Sequence, residues 1–157
     1  MTHLDYSAQD AWYMQATGNI QSPINITTRT THDITYDATL QLNYDTLATY
    51  ARDTGQGLET GLTGQAIINH RPYTLQQFHF HTPSEHTLDH QHYDGELHFV
   101  HQADDGKLAV IAVFLQVGPT SSPSLDAMFT HLNQKTTFEL PVADLLPHNK
   151  SYFHYVG

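Results

Sequence analysis

The segment QFHFHTPSEH, residues 77–86, places three histidines and a glutamate within ten residues. Successive side chains of an extended strand point to opposite faces, so His79 and His81 share one face with Gln77. Two imidazoles on one face of a strand are a candidate pair of metal ligands. Most isolated His-x-His pairs are structural or surface histidines, so a metal site needs a further ligand from a neighbouring strand.

A second segment, GELHFVHQ at residues 95–102, supplies that ligand. Its alternation places Glu96, His98 and Val100 on one face. If this segment pairs with residues 77–81 as an antiparallel neighbour, His98 completes a facial set with the two histidines of the first segment. Three imidazoles around an open fourth position are typical of catalytic zinc, where bound water loses a proton at about pH 7.

The same strands also offer acceptors that would orient the imidazoles. Gln77 lies two positions before His79, and Glu96 lies two positions before His98, in each case on the same face. A metal-bound imidazole usually donates its second N–H to such an acceptor. The spacing therefore predicts a Zn²⁺ site with three histidine ligands, supported by Gln77 and Glu96.

The elements that must position these residues are predicted to be mainly strands. The length suits one hydrophobic core, so we expect a single domain over residues 1–157. The run 108–117 is apolar on both faces, which predicts a central strand covered on both sides. Short helices are predicted over SAQDAWYM near the start and over SPSLDAMFTHLN, where Ser122 can cap and Pro123 suits the first turn. The predicted strands span 39–44, 65–69, 73–81, 96–102 and 107–117.

Composition argues against several classes of partner. The 16 acidic residues outnumber the 6 Lys and Arg, giving a formal charge of −10 that repels phosphate backbones and anionic membrane surfaces. We therefore expect neither nucleic acid nor a membrane as a partner. The start of the chain lacks a signal-peptide pattern, and the sequence contains no cysteine, so a soluble, cytoplasmic protein is expected.

These motifs resemble those of the α-class carbonic anhydrases. The matching segments follow the family's order: QSPINI (21–26), QFHFHTPSEHTLD (77–89), GELHFVHQ (95–102), LAVIAVFLQVG (108–118) and LLPHNKSYFHYVG (145–157). The resemblance implies a large, twisted, mostly antiparallel sheet with a few short peripheral helices and zinc at the bottom of a conical cleft. It also implies a lyase that reversibly hydrates CO₂ to bicarbonate and a proton through zinc-bound hydroxide. Sulfonamides and anions are then expected to bind at the zinc.

The resemblance also implies roles for individual residues. His79, His81 and His98 match the zinc ligands, and Gln77 and Glu96 match the acceptors that hold them. Their spacing and the family pattern therefore agree.

Other positions receive a role from the resemblance alone. Glu85 matches a glutamate that orients a threonine hydroxyl, and this hydroxyl in turn orients the zinc-bound hydroxide. Val100 and Val110 match apolar positions of the CO₂ pocket, and Tyr6 matches a tyrosine of the cleft's solvent network. Gln56 stands where well-studied members carry a proton-shuttling histidine, so regeneration is expected to be slower. His86, beside Glu85, matches a structural histidine.

Family members continue beyond the equivalent of Gly157 into a Ser-Leu-Thr-Thr-Pro-Pro segment and further strands, which the sequence does not contain. We therefore expect the fold to lack the family's last strands and the substrate-site threonine. The alternating run YFHYV, residues 152–156, is expected to form a strand with an unpaired edge. Exposed edges favour association, which predicts a homo-oligomer, such as a homodimer, or a complementing C-terminal fragment.

Two alternatives stay open at this point. The first is a zinc-binding remnant of the family that has little or no turnover and acts as a binding or structural protein. The second is a cupin-type metalloenzyme, because HFHTPSE also fits His-x-His-x-x-x-Glu, in which Glu85 would bind iron or manganese. The glycine-bounded Pro-x-Gly-x-x-His segment expected of a cupin is missing from the sequence.

Overall fold

A long, twisted sheet forms most of the protein. A computed structural model describes residues 21–33 and 39–157. The strands are β1 Asn25–Ile26, β2 Leu40–Tyr44, β3 Leu47–Ala48, β4 Tyr50–Asp53, β5 Leu58–Gly61, β6 Gly64–Ile68, β7 Arg71–His81, β8 Thr87–Leu88, β9 Gly95–Gln102, β10 Leu108–Leu115 and β11 Phe138–Glu139. One α-helix, α1 Pro123–Thr130, and two 3₁₀ turns, Thr28–Thr30 and Val142–Leu145, lie among the described residues.

The predicted fold class, a mainly β chain with a mostly antiparallel sheet and short peripheral helices, is confirmed. The five strands predicted over 39–44, 65–69, 73–81, 96–102 and 107–117 each coincide with an observed strand. α1 begins as predicted, because the Ser122 hydroxyl accepts a hydrogen bond from the backbone N–H of Leu125 and Pro123 occupies the first turn. The helix predicted near the start of the chain lies outside the described residues. Within the described part of the chain, no helix combines the length and apolarity needed to cross a bilayer.

β7 organises the seven-stranded sheet, whose antiparallel path runs β10-β9-β7-β5-β4. It is 11 residues long and pairs with β9 along one side. On its other side the first half pairs with β6, which continues to β2, and the second half pairs with β5. The strand that carries two of the candidate ligands therefore has neighbours on both sides.

The hydrophobic core lies on the sheet face opposite those ligands. Phe78 of β7 and Leu97 and Phe99 of β9 are fully buried, and the rings of Phe78 and Phe99 stack with centroids 5.1 Å apart. Met128 of α1 and Leu140 close the core from outside the sheet. Burying each such side chain stabilises the fold by about 1.5–3 kcal/mol. Because neighbouring residues of a strand point to opposite faces, the residues between these core positions must point away from the core.

The prediction that residues 108–117 form a covered central strand is wrong. Among the described strands β10 pairs with β9 alone, so it forms an edge of the sheet, and it ends at Leu115. Ile111, Val113 and Leu115 pack against the core, whereas Leu108 and Val110 are 64% and 52% exposed. The apolar composition of β10 does not show that one face of the strand lacks a covering layer in the described part of the chain.

The prediction of a strand over residues 152–156 is also wrong. This segment has no strand partner among the described residues. It is held instead by the Tyr155 hydroxyl, which lies 2.6 Å from both Ser22 Oγ and His86 Nε2. Side-chain hydrogen bonds therefore replace a backbone ladder here.

A buried hydrogen-bond chain links β2, β9 and β10. The Nδ1–H of fully buried His101 donates to the Ala109 carbonyl at 3.2 Å, and its Nε2 accepts from the Tyr44 hydroxyl at 2.8 Å. Burial lowers the pKa of His101 and raises that of Tyr44, so both groups are neutral near pH 7. The chain satisfies polar atoms that would otherwise be costly to bury.

We expect Tyr44→Phe to lower the free energy of unfolding by about 1–3 kcal/mol, because it leaves the buried His101 Nε2 without a donor. Tyr50→Phe is the matched control: it removes a hydroxyl that donates to Glu59, yet Glu59 keeps its contact with Arg52. Urea unfolding followed by circular dichroism measures both losses. An equal loss in the two variants would contradict a special role for the His101 pair.

Candidate metal centre

Three histidines meet on the face of the sheet that points away from the core. The antiparallel register places His79 directly opposite His98, and His81 opposite Glu96. The centroids of the three imidazole rings are 4.8 to 5.2 Å apart. One ring nitrogen from each lies within 4.8 Å of the others, so the three side chains can hold one metal ion.

The hydrogen bonds of these rings show which nitrogens remain for a metal. His79 Nδ1–H donates to Gln77 Oε1 at 3.0 Å, which leaves its Nε2 free to coordinate. His98 Nε2 faces Glu96 Oε1 at 3.3 Å, without the alignment of a hydrogen bond, which leaves Nδ1. His81 Nε2 is buried and has no hydrogen-bond partner. A buried imidazole nitrogen without a partner is costly in a folded protein, and a metal ion would satisfy it.

The electrostatic environment favours the neutral form of His79 and His81, which is the form that binds metal. Burial, together with the neighbouring His98 and His81, lowers the pKa of His79 to about 4. Burial also lowers the pKa of His81, against the opposing effect of Glu85. His79 and His81, which share one desolvated face of β7, therefore resist protonation.

Glu96 lies beneath the three candidate ligand histidines and holds the neighbouring groups by hydrogen bonds. Its Oε1 accepts from His86 Nδ1–H at 2.6 Å, and its Oε2 accepts from the backbone N–H groups of Glu85 and His86 at 2.8 and 2.9 Å. Burial alone would raise the pKa of this carboxyl group, but the hydrogen bonds and contacts from His86 and His98 hold it well below its usual range. Glu96 is therefore a fully buried anion with its oxygens satisfied.

The network extends from Glu96 to the last residues of the chain. His86 Nε2 accepts from the Tyr155 hydroxyl at 2.6 Å, and Ser22 Oγ lies 2.6 Å from the same hydroxyl. Sequence reasoning placed no role on Tyr155 or Ser22. No sequence spacing could have found this contact, because His86 and Tyr155 are 69 residues apart.

Glu85 lies against the open side of the three histidines. Its Oε2 is 3.4 Å from His81 Nε2 and 3.6 Å from His98 Nδ1, and its side chain is only 14% exposed. The carboxylate thus faces the two nitrogens that remain available for a metal on those rings. Within the described residues, no threonine hydroxyl is hydrogen-bonded to it.

Comparison with known proteins identifies the family. The family model described as eukaryotic-type carbonic anhydrase matches residues 7–157. The chain belongs to this family. A carbonic anhydrase of Klebsiella pneumoniae is 34% identical over 146 residues, covering 89% of this chain and 59% of that protein. Alpha carbonic anhydrase 5 of Arabidopsis thaliana is 39% identical over 112 residues, covering 68% of this chain and 40% of that protein.

Solved structures of the family have the same fold. The α-carbonic anhydrase from Thermovibrio ammonificans, in complex with the inhibitor sulfanilamide, superposes with a TM-score of 0.78 at 28% identity, covering 93% of this chain and 67% of that one. The α-carbonic anhydrase of Photobacterium profundum gives a TM-score of 0.73 at 35% identity, covering 90% of this chain and 67% of that one. The chain thus spans 40% to 59% of the length of the curated relatives cited here and about two thirds of these solved structures.

The remaining predicted site residues are Val100, Val110, Gln56 and Tyr6. Val100 is half-buried and lies on the same face of β9 as His98. Val110, on the neighbouring strand β10, is the residue that pairs with Val100. Gln56 is exposed in the turn between β4 and β5. Tyr6 lies outside the described residues. The structure therefore puts both valines beside the metal centre, with Val110 open to solvent on its outer side.

We expect His81→Ala to lose stoichiometric zinc, because it removes the imidazole whose buried Nε2 has no protein partner. His148→Ala, which removes an exposed histidine, is the matched control and should keep one zinc per chain. Metal analysis after dialysis against a weak chelator measures both. Retention of stoichiometric zinc by His81→Ala would show that the ion binds elsewhere.

Proposed function

We propose that this chain binds Zn²⁺ through His79, His81 and His98 and reversibly hydrates CO₂ to bicarbonate and a proton. The observation that carries the proposal is the facial set of three imidazoles, with the buried and unpartnered Nε2 of His81 at its centre. Family membership supports CO₂ hydration in general. The donor set of three imidazoles fits zinc, which binds nitrogen ligands in catalytic sites.

A zinc ion held there supplies Lewis-acid chemistry that lowers the pKa of water to about 7, so that a nucleophile is available at neutral pH. Gln77 fixes the tautomer of His79 by accepting its Nδ1–H. Glu96 faces the second nitrogen of His98 and, as a buried anion, makes that imidazole a better donor. Both residues thereby keep the coordinating nitrogens turned toward the centre.

Binding of CO₂ and removal of the proton that hydration releases depend on different residues of the chain. Val100 and Val110, opposite each other on β9 and β10, provide an apolar surface beside His98 against which CO₂ can lie. Gln56 cannot carry a proton by titrating, so the proton released by hydration must pass to buffer or to another group. We therefore propose that proton removal limits the rate at low buffer concentration.

The second candidate function is a zinc-binding family member with little or no turnover. The position of Glu85, whose carboxylate faces two of the coordinating nitrogens, favours this alternative. The cupin alternative loses its support, because the family match covers residues 7–157 and belongs to a different fold.

We expect the zinc-loaded protein to hydrate CO₂ in a stopped-flow indicator assay and to lose that activity with the metal chelator dipicolinate. Sulfanilamide, which is bound in the Thermovibrio ammonificans structure, should inhibit the loaded protein because the coordinating face matches that family's fold. Raising the buffer concentration should raise the rate if Gln56 leaves proton transfer to buffer. Stoichiometric zinc without turnover at any buffer concentration would instead establish the second candidate.

We also propose that two copies of the chain associate through their β10 strands. Leu108–Leu115 contains no charged residue and no proline, so this edge lacks the features that normally block strand pairing. A two-fold axis would place β10 antiparallel to its copy and extend the sheet across the dimer. The strand itself is uncharged, so the formal charge of −10 on each copy is carried by residues outside β10.

We expect the protein to sediment as a dimer and Val110→Lys to sediment as a monomer, because a lysine on each edge introduces charge where the strands would meet. Val117→Lys is the matched control, since Val117 is 82% exposed and lies beyond the end of β10. Analytical ultracentrifugation measures all three proteins. A monomeric wild-type protein, or a dimer that survives Val110→Lys, would contradict pairing through β10.

A further inference from the structure

We propose that Glu59 is a specificity-determining residue of the metal centre, whose carboxylate weakens the binding of anions beside the three histidines. The inference rests on the proposed zinc site and CO₂ hydration and deepens them, because it names a charge that distinguishes the neutral substrate from the anionic product. Sequence reasoning placed no role on Glu59.

A row of directly opposed residues crosses the sheet through the candidate ligands. His98 of β9 pairs with His79 of β7, and His79 pairs with Glu59 of β5. Glu59 in turn pairs with Arg52 of β4. Opposed residues of antiparallel strands project to the same face of a sheet, with Cβ atoms about 4.5–5.5 Å apart. Glu59 is therefore the neighbour of His79 on the metal-facing side, and Arg52 lies one strand farther away.

The start of β5 also runs close to the second candidate ligand. A Cβ atom at Gly57, just before β5, would lie 4.0 Å from His81 Nδ1. Glycine has no side chain, so this position adds no polar group beside His81. On the β5 side the metal centre is therefore bordered by a glycine and by the Glu59 carboxylate.

Glu59 is held in place by two donors that contact the same oxygen. The Tyr50 hydroxyl donates to Glu59 Oε1 at 2.7 Å, and an Nη2–H of Arg52 donates to it at 2.6 Å. The guanidinium of Arg52 also lies over the ring of Tyr50, with Cζ 5.0 Å from the ring centroid. Among the described residues no donor contacts Oε2, and the Glu59 side chain is only 17% exposed. The carboxylate is thus fixed and mostly buried.

Arg52 does not cancel the charge that acts on the metal centre. Its side chain is 58% exposed, so water and salt screen the guanidinium. Since Arg52 is also one strand farther from the histidines, the ion pair turns its negative end toward His79. Burial and the neighbouring His98 and His81 lower the pKa of His79, whereas the charge of Glu59 opposes that decrease.

The two other carboxylates near the histidines are in contact with the rings or with other donors. Glu96 accepts hydrogen bonds from His86 and from two backbone N–H groups. Glu85 lies 3.4 and 3.6 Å from nitrogens of His81 and His98. Within the described structure Glu59 makes no ion pair with any of the three rings, so its charge acts through space on a molecule bound at their open side.

The proposed reaction gives this charge a consequence. CO₂ is neutral, whereas bicarbonate is an anion. A carboxylate on the metal-facing side therefore leaves the binding of CO₂ unaffected and raises the free energy of an anion bound there. Glu59 thus favours release of the product and lowers the affinity of anionic inhibitors.

The experiment measures thiocyanate binding to the Co²⁺-loaded protein by visible absorption at one fixed pH. Glu59→Gln, which keeps the size of the side chain, should bind thiocyanate about threefold to tenfold more tightly than the wild type, because one nearby negative charge is removed. Arg52→Gln should bind it more weakly than the wild type, because the Glu59 charge loses its partner. Glu139→Gln, with the same change of charge at an exposed position of β11, should match the wild type.

Two further measurements separate the charge of Glu59 from a change in structure. Imidazole, which is mostly neutral at about pH 8, should bind the cobalt forms of the wild type and of Glu59→Gln equally. Glu59→Asp, which keeps the charge, should stay within about twofold of the wild-type affinity for thiocyanate.

Equal thiocyanate affinity of the wild type and Glu59→Gln would overturn the role of Glu59 while leaving the zinc site and CO₂ hydration intact. Tighter thiocyanate binding by Arg52→Gln, or an equal gain for imidazole and thiocyanate in Glu59→Gln, would overturn it as well. Absence of Co²⁺ binding in the wild type would also overturn the proposed function. If circular dichroism shows that Glu59→Gln fails to fold, the comparison of Arg52→Gln with the wild type decides the question.

Discussion

The antiparallel register between β7 and β9 is the constraint on which the candidate metal centre depends. Because His79 lies opposite His98, the three imidazoles converge on one face. Moving the register by one residue would turn one strand's histidines toward the core. The stacked pair Phe78 and Phe99, buried on the other face, makes such a shift costly. The hydrophobic core therefore specifies the convergence of the three histidines from the opposite face of the sheet.

Glu96 connects this sheet geometry to the rest of the chain. A buried carboxylate is expensive unless its oxygens are satisfied, and here the donors come from the segment just after β7. That requirement fixes the position of Glu85 beside the histidines. Through His86 it also binds the extended segment around Tyr155, which has no strand partner in the described structure. The buried Glu96 carboxylate thus positions both the residues around the candidate ligands and the segment around Tyr155.

The sequence predicts those features that depend on local alternation. The shared face of His79 and His81, and the convergence of His98 with them, follow from a period of two and one assumed pairing. The edge position of β10 could not be predicted, since an apolar strand has the same composition whether or not a layer covers it. The Tyr44–His101 and Tyr155–His86 contacts join residues 57 and 69 positions apart, and no local pattern encodes them.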